Sequence, residues 1–93
     1  MIEVSRNGDG DPMSFEVTVG EGGGQSRHQV TMAQETFDKL TGGAGRPEDA
    51  VEAAFRFLLD REPKEAILGK FDVTVISQYF PNFESKFGDY FGG

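Results

Sequence analysis

Apolar and polar residues alternate in the first third of the chain, which is the pattern of half-buried β-strands. The apolar positions of two such runs are Phe15, Val17, Val19, His28, Val30 and Met32. A glycine-rich stretch, GEGGGQS at residues 20–26, separates the runs and predicts a β-hairpin of Ser14–Val19 with Arg27–Met32. Ile2 and Val4 alternate in the same way and predict a third strand, joined through a turn at Asn7–Pro12.

From Ala33 onward the apolar residues recur every three or four positions, which is the period of an α-helix. A first helix is predicted to end at the glycines of TGGAG, residues 41–45, and Pro47 suits the first turn of a second helix. Apolar residues lie on two faces of this second helix. We therefore expect it at the centre of the fold, with Phe55, Leu58 and Leu59 fully buried.

The last third of the chain also has helical spacing, with one ambiguous segment. Pro63 ends the central helix and predicts a further helix whose apolar residues lie within Ala66–Phe71. Asp72 suits the cap of a helix in the segment that follows, although β-branched residues leave a strand open for Val73–Phe80. After Pro81, aromatic residues keep the helical spacing and predict a terminal amphipathic helix or a wrapped aromatic tail.

Together these patterns predict a single α+β domain over residues 1–93, β-rich over 1–32 and helical over 33–93. The expected architecture is an antiparallel β-hairpin or three-stranded meander, followed by three to four short helices packed on it. A chain of this length can form one hydrophobic core.

The composition restricts the chemistry that the chain can support. It has no cysteine, which excludes disulfides, thiolate metal sites and thiol catalysis and predicts a cytoplasmic protein. The formal net charge of −7 repels phosphate backbones and argues against nucleic-acid binding. No apolar stretch is long enough for a signal peptide or a membrane span, so no membrane association is expected.

Three short motifs are similar to ligand-binding loops but lack a required part. NGDGD at residues 7–11 has the spacing of calcium ligands, but Pro12 and Thr18 stand where a glycine and a bidentate glutamate belong. GEGGG at 20–24 precedes a strand rather than a helix, and GGAG at 42–45 is followed by only one cation, Arg46, before two acids. We therefore assign no metal-binding or cofactor-binding residue and expect no cofactor.

His28 and Asp60 are the candidates for acid–base chemistry. His28 lies in the apolar register of its strand, and no neighbouring acid or serine suggests a catalytic partner, so a hydrogen-bonded, partly buried histidine is the favoured interpretation. Asp60, at the end of the central helix, is expected to be solvated or locally paired. No catalytic residue is assigned, but a small enzyme with a spatially assembled site remains an alternative.

One segment resembles a family of small uncharacterised bacterial proteins. The shared pattern is AF-x-FLL-x-REP, then IL-x-x-F, then I-x-x-YFP, here at Ala54–Pro63, Ile67–Phe71 and Ile76–Pro81. It covers about a third of the chain. The resemblance implies a bacterial cytoplasmic protein and transfers no functional residue.

A second segment, Arg27–Glu62, resembles a ribbon-helix-helix repressor, with a polar-alternating strand, a short helix, a glycine turn and a longer apolar helix. This resemblance implies that Arg27, Gln29 and Thr31 project from the ribbon into the major groove of DNA. The predicted hairpin partner of this strand and the acidic charge of the chain both oppose that arrangement.

We therefore expect a non-catalytic interaction or regulatory module that forms a homodimer or binds another protein. The proposed interaction surface consists of Phe83, Phe87, Tyr90 and Phe91, because so many rings exceed what a small domain buries. A DNA-binding repressor that uses Arg27, Gln29 and Thr31 is the first alternative, and the small enzyme is the second.

Overall fold

The computed structural model describes residues 1–21 and 23–92 and contains a four-stranded sheet. The strands are β1 (Ile2–Gly8), β2 (Met13–Glu21), β3 (Gly24–Met32) and β4 (Lys70–Asp72). They are ordered β1-β2-β3-β4; the first three form an antiparallel meander, and β4 lies parallel to β3. β1 and β4 are the two edge strands of the sheet.

Four short α-helices follow the meander. They are α1 (Gln34–Thr41), α2 (Pro47–Leu59), α3 (Thr74–Tyr79) and α4 (Phe83–Lys86), with single 3₁₀ turns at Lys64–Ala66 and Phe87–Asp89. Along β2, buried residues alternate with half-exposed ones, so one face of the sheet meets the core and the other carries polar side chains. The α+β prediction is confirmed.

The predicted meander is confirmed, with longer strands than the sequence indicated. β2 and β3 pair from Met13 with Met32 to Glu21 with Gly24, and Ile2 begins a full edge strand. Gly22, in the middle of the predicted glycine connection, lies outside the described residues.

The helix predicted after Pro63 is wrong. Only the 3₁₀ turn forms, the chain is extended at Ile67, and Phe71 lies on β4. The reason is tertiary: Phe71 is buried from β4, with its ring centroid 5.9 Å from that of Phe55 on α2. A strand paired to β3 buries this ring, and this burial outweighs the weak helix preference of a short segment that contains Gly69.

The ambiguous segment after Asp72 is a helix. One carboxylate oxygen of Asp72 accepts hydrogen bonds from the backbone N–H and the hydroxyl of Thr74, at 3.0 and 2.7 Å. The other oxygen accepts from Thr31 on β3, at 2.6 Å. Asp72 therefore fixes the start of α3 to the sheet, as expected of a capping residue.

α2 is the central helix, as predicted. Phe55 and Leu58 are buried, but Leu59 is only partly buried, so full burial of Leu59 was wrong. The ring of Phe57 meets three rings from the C-terminal segment, with centroid distances of 5.0 Å to Phe83 and 5.8 Å to both Phe80 and Tyr90.

This packing corrects the interaction surface predicted from the sequence. Phe83 and Phe87 are each only 1% exposed, and their rings pack edge-to-face in the core of the same chain. They present no surface to a partner in this conformation. The expectation that a small domain cannot bury so many rings was wrong, because α2 has apolar residues on two faces and these rings cover the second face.

Candidate interaction site

An apolar groove of about 320 Å³ lies between the end of α2, the segment that follows it, and α3. Its lining residues are Leu58, Glu62, Ala66, Ile67, Leu68, Phe71, Val75, Ile76, Tyr79 and Phe80. The groove exists because residues 66–69 do not continue as a helix across the sheet. Instead they turn into β4 and leave a gap beside α3.

Two large side chains beside the groove are exposed to solvent. Leu68 is 47% exposed and Tyr79 is 67% exposed, and in the part of the chain that the structure describes only Met1 joins them as a large exposed hydrophobic residue. A single exposed apolar residue is ordinary, but two that flank one apolar groove form a patch of the kind that binds other proteins.

The wall that carries Leu68 is fixed to the sheet by His28. The Nδ1 atom of His28 lies 2.7 Å from the carbonyl oxygen of Leu68, and because a carbonyl only accepts, Nδ1 carries the proton. In the neutral imidazole, Nε2 is then the acceptor for the hydroxyl of Ser26, at 2.8 Å. The backbone N–H of Gln29 also donates to the carbonyl oxygen of Gly69, at 2.8 Å.

These contacts settle the place of His28. It is 2% exposed, its ring centroid lies 5.3 Å from that of Phe55, and both ring nitrogens have partners. It does not line the groove. The expectation of a hydrogen-bonded buried histidine agrees with this geometry, but Ser26 was missed as its partner. The available signal was that residues two apart on a strand share a face.

Asp60 belongs to a different hydrogen-bond network. Its carboxylate accepts from the Tyr90 hydroxyl at 2.6 Å, and the guanidinium of Arg61 lies 3.3 Å from the same hydroxyl and over the ring of Phe57. Because His28 bonds to Ser26 and Leu68, the structure does not join His28 and Asp60 into one site.

The charge around the groove is slight. Glu62 is the only charged side chain among the described residues that line it. Nearby, Lys64 bonds to Glu65, and this hydrogen bond holds the pKa of the exposed Glu65 carboxyl below its ordinary value. The groove therefore offers apolar contact with one acidic position at its rim, which suits recognition of apolar side chains.

Tyr90 and Phe91, the remaining residues of the predicted aromatic surface, are partly buried and face the chain itself. They line a separate recess of about 350 Å³ together with Arg56. Phe91 packs against Gly45, where an added Cβ atom would lie only 2.8 Å from the ring, and Gly45 has a φ of +80°. This part of the tail closes over the glycine turn before α2.

Arg27, Gln29 and Thr31, the residues of the DNA-binding alternative, lie on the polar face of the sheet. Gln29 donates to Glu16 at 3.3 Å, and Thr31 donates to Asp72. β3 is paired with β2 on one side and β4 on the other. An intertwined ribbon needs a strand with a free edge, so this chain does not have the geometry that the alternative requires.

The sequence interpretation missed Leu68 and Tyr79 as site residues. Leu68 belongs to the helix predicted within Ala66–Phe71, which does not form, and Tyr79 enters the sequence patterns only through I-x-x-YFP. Most of the groove lining falls within the three sequence patterns AF-x-FLL-x-REP, IL-x-x-F and I-x-x-YFP: Leu58, Glu62, Ile67, Leu68, Phe71, Ile76, Tyr79 and Phe80.

Over residues 1–21 and 23–92, the structure contains no cluster of three or more side chains suited to metal binding. None of the helices in those ranges is both long enough and apolar enough to cross a membrane. Comparison of the chain with protein-family models, with curated proteins and with solved structures gave no match.

Proposed function

We propose that this protein is a small non-catalytic interaction module that binds an apolar segment of a partner protein in the groove beside α3. The observation that carries the proposal is the exposure of Leu68 and Tyr79 on either side of one apolar groove. Covering a leucine side chain completely is worth about 1.5–3 kcal/mol, so these two residues would act as the main contacts.

The occupant that fits is a short amphipathic segment with apolar residues and a basic residue. The apolar floor accepts the apolar side chains, and Glu62 on the rim offers a carboxylate to a lysine or arginine. The net charge of −7 attracts a basic segment and raises its association rate.

The proposal can be tested by selecting peptides from a random display library on the intact protein. The selected peptides should be apolar with a basic residue, and they should bind Leu68→Glu and Tyr79→Ala at least about tenfold more weakly than the parent chain. Gln78→Ala is the matched control, because Gln78 is exposed on the same helix but does not line the groove. Failure to select any peptide, or selection of peptides that bind all three variants equally, would reject the proposal.

We also propose self-association as a homodimer, membership of the bacterial family that the pattern resembles, and a cytoplasmic location. Because the aromatic tail is buried, a homodimer needs an interface elsewhere on the surface.

A further inference from the structure

β1 forms an edge of the sheet whose outer side has no partner in the part of the chain that the structure describes. The backbone N and O atoms of Met1 bond to the O and N atoms of Gly20, each at 3.0 Å. Hydrogen-bonded and non-hydrogen-bonded pairs alternate along an antiparallel ladder. Glu3 and Ser5 therefore bond to β2, whereas the N–H and C=O groups of Ile2, Val4 and Arg6 point away from it.

These outward groups require an extended backbone as their partner. We propose that β1 pairs with β1 of a second copy of this chain, antiparallel and centred on Val4, to form one continuous sheet through a two-fold axis. The pairing specifies the interface of the proposed homodimer, rests on that part of the proposed function, and does not depend on what the groove binds.

The register follows from the order of residues in β1. Centring on Val4 places Ile2 opposite Arg6 of the second copy, so each outward N–H and C=O of these residues finds a partner. Glu3 then faces Ser5 of the second copy. Centring on Glu3 would instead place two carboxylates directly opposite each other, and centring on Ser5 would carry the pairing into the bulge that follows Arg6.

Charge and burial also favour a second copy at this edge. β1 contains one acid and one base, Glu3 and Arg6, so it is neutral within a chain whose net charge is −7. Two acidic copies can therefore approach here with little local repulsion. Ile2 and Val4 point toward the core but are only partly buried. In this register Val4 would lie against Val4 of the second copy, and Ile2 would lie beside Val4 and Arg6 of the second copy.

Two common protections of an edge strand, proline and lysine, are absent from Ile2–Arg6, and the bulge begins only after Arg6. The charged side chains of the segment are Glu3 and Arg6, and Arg6 is paired with Glu48 of the same chain at 3.1 Å. The five residues of this regular edge supply three outward N–H groups, those of Ile2, Val4 and Arg6. Two copies therefore contribute six N–H groups to hydrogen bonds across the interface.

The test uses a matched pair of proline substitutions. Val4→Pro removes an outward N–H and leaves the bonds to β2 intact, so it should fold and sediment as a monomer of 10.2 kDa, whereas the parent chain should sediment at twice that mass at high concentration. Ser5→Pro removes an N–H that bonds to β2, so it should lower the urea midpoint of unfolding instead.

Hydrogen exchange on the parent chain provides a second readout that needs no variant. In the dimer, the amides of Val4 and Arg6 should exchange at least roughly tenfold more slowly at high protein concentration than at low concentration. The amides of Glu3 and Ser5 should be protected at both concentrations.

Two results would overturn the pairing, and they have different meanings. A monomer at every concentration would reject both the pairing and the proposed self-association. A dimer that persists in Val4→Pro, together with fast exchange at Val4 and Arg6 in the parent chain, would reject the pairing alone and place the dimer interface elsewhere. Neither result bears on binding in the groove.

Discussion

The imidazole of His28 on β3 donates to the carbonyl oxygen of Leu68, 2.7 Å away and 40 residues further along the chain. This bond joins the inner side of the sheet to the wall of the groove. Leu68 is therefore exposed on a backbone that is held in place, which would lower the entropy lost on binding of the proposed partner.

Replacing His28 should destabilise the protein through lost hydrogen bonds. His28→Phe fills the space but leaves the Leu68 carbonyl and the Ser26 hydroxyl without their partner, so we expect a loss of about 1–3 kcal/mol in the free energy of unfolding. Ser26→Ala removes one bond and should cost about 0.5–1.5 kcal/mol. Urea unfolding measures both. An unchanged urea midpoint in His28→Phe would show that the hydrogen bond from His28 to the Leu68 carbonyl does not contribute to stability.

Phe57 should be among the most sensitive positions in the chain. It is fully buried and lies against three rings of the C-terminal segment, so Phe57→Ala should cost about 3–5 kcal/mol in urea unfolding. Tyr79→Ala, at an exposed ring, should change stability by no more than about 0.5 kcal/mol. Equal costs at the two positions would contradict the described packing.

The C-terminal segment should be required for folding. Deletion of residues 83–93 removes the buried rings of Phe83 and Phe87 and exposes the face of α2 that they cover. We expect the loss of cooperative urea unfolding, whereas Lys86→Ala, at an exposed position on α4, should unfold like the parent chain. A truncated chain that unfolds cooperatively would show that these rings are dispensable.

The Arg6–Glu48 ion pair should make stability depend on pH. Burial raises the pKa of the Glu48 carboxyl, but the hydrogen bond from Arg6 and the charges of Arg6 and Arg46 outweigh it and hold the pKa below its ordinary value of 4.5. Because the folded-state pKa is the lower one, the pair stabilises the fold above pH 4.5, and this contribution is lost as the pH falls through the folded-state pKa.

Glu48→Gln should therefore lower stability by about 0.5–1 kcal/mol at neutral pH and by much less in acid. Urea unfolding on either side of pH 4.5 measures this difference. Glu65→Gln is the control, because the exposed Lys64–Glu65 pair joins adjacent residues and is available to the unfolded chain as well. A Glu48→Gln deficit that is larger in acid would contradict the sign of the pKa shift.

The parts of the fold that follow from local pattern were predictable. The alternating residues of β2 and β3 and the two apolar faces of α2 indicate which of their side chains are buried. Asp72 indicates where α3 starts. β4 was not predictable in this way, because three residues carry no period and their strand conformation depends on pairing with β3.

The candidate site was missed for the same reason. Leu68 is exposed only because Phe71 is drawn into the sheet and His28 holds the intervening backbone, and neither contact is local in sequence. For Phe83 and Phe87, the sequence shows the rings but not that the second face of α2 covers them.

Calorimetric titration of a display-selected peptide into the intact protein and its variants is the most direct test of the groove as the binding site. Tyr79→Ala should raise the dissociation constant at least about tenfold, which corresponds to a loss of about 1.4 kcal/mol in binding free energy. Gln78→Ala should leave the dissociation constant within about twofold of the parent value. Equal affinity for the parent chain and Tyr79→Ala would contradict the proposal that the groove beside α3 binds the partner.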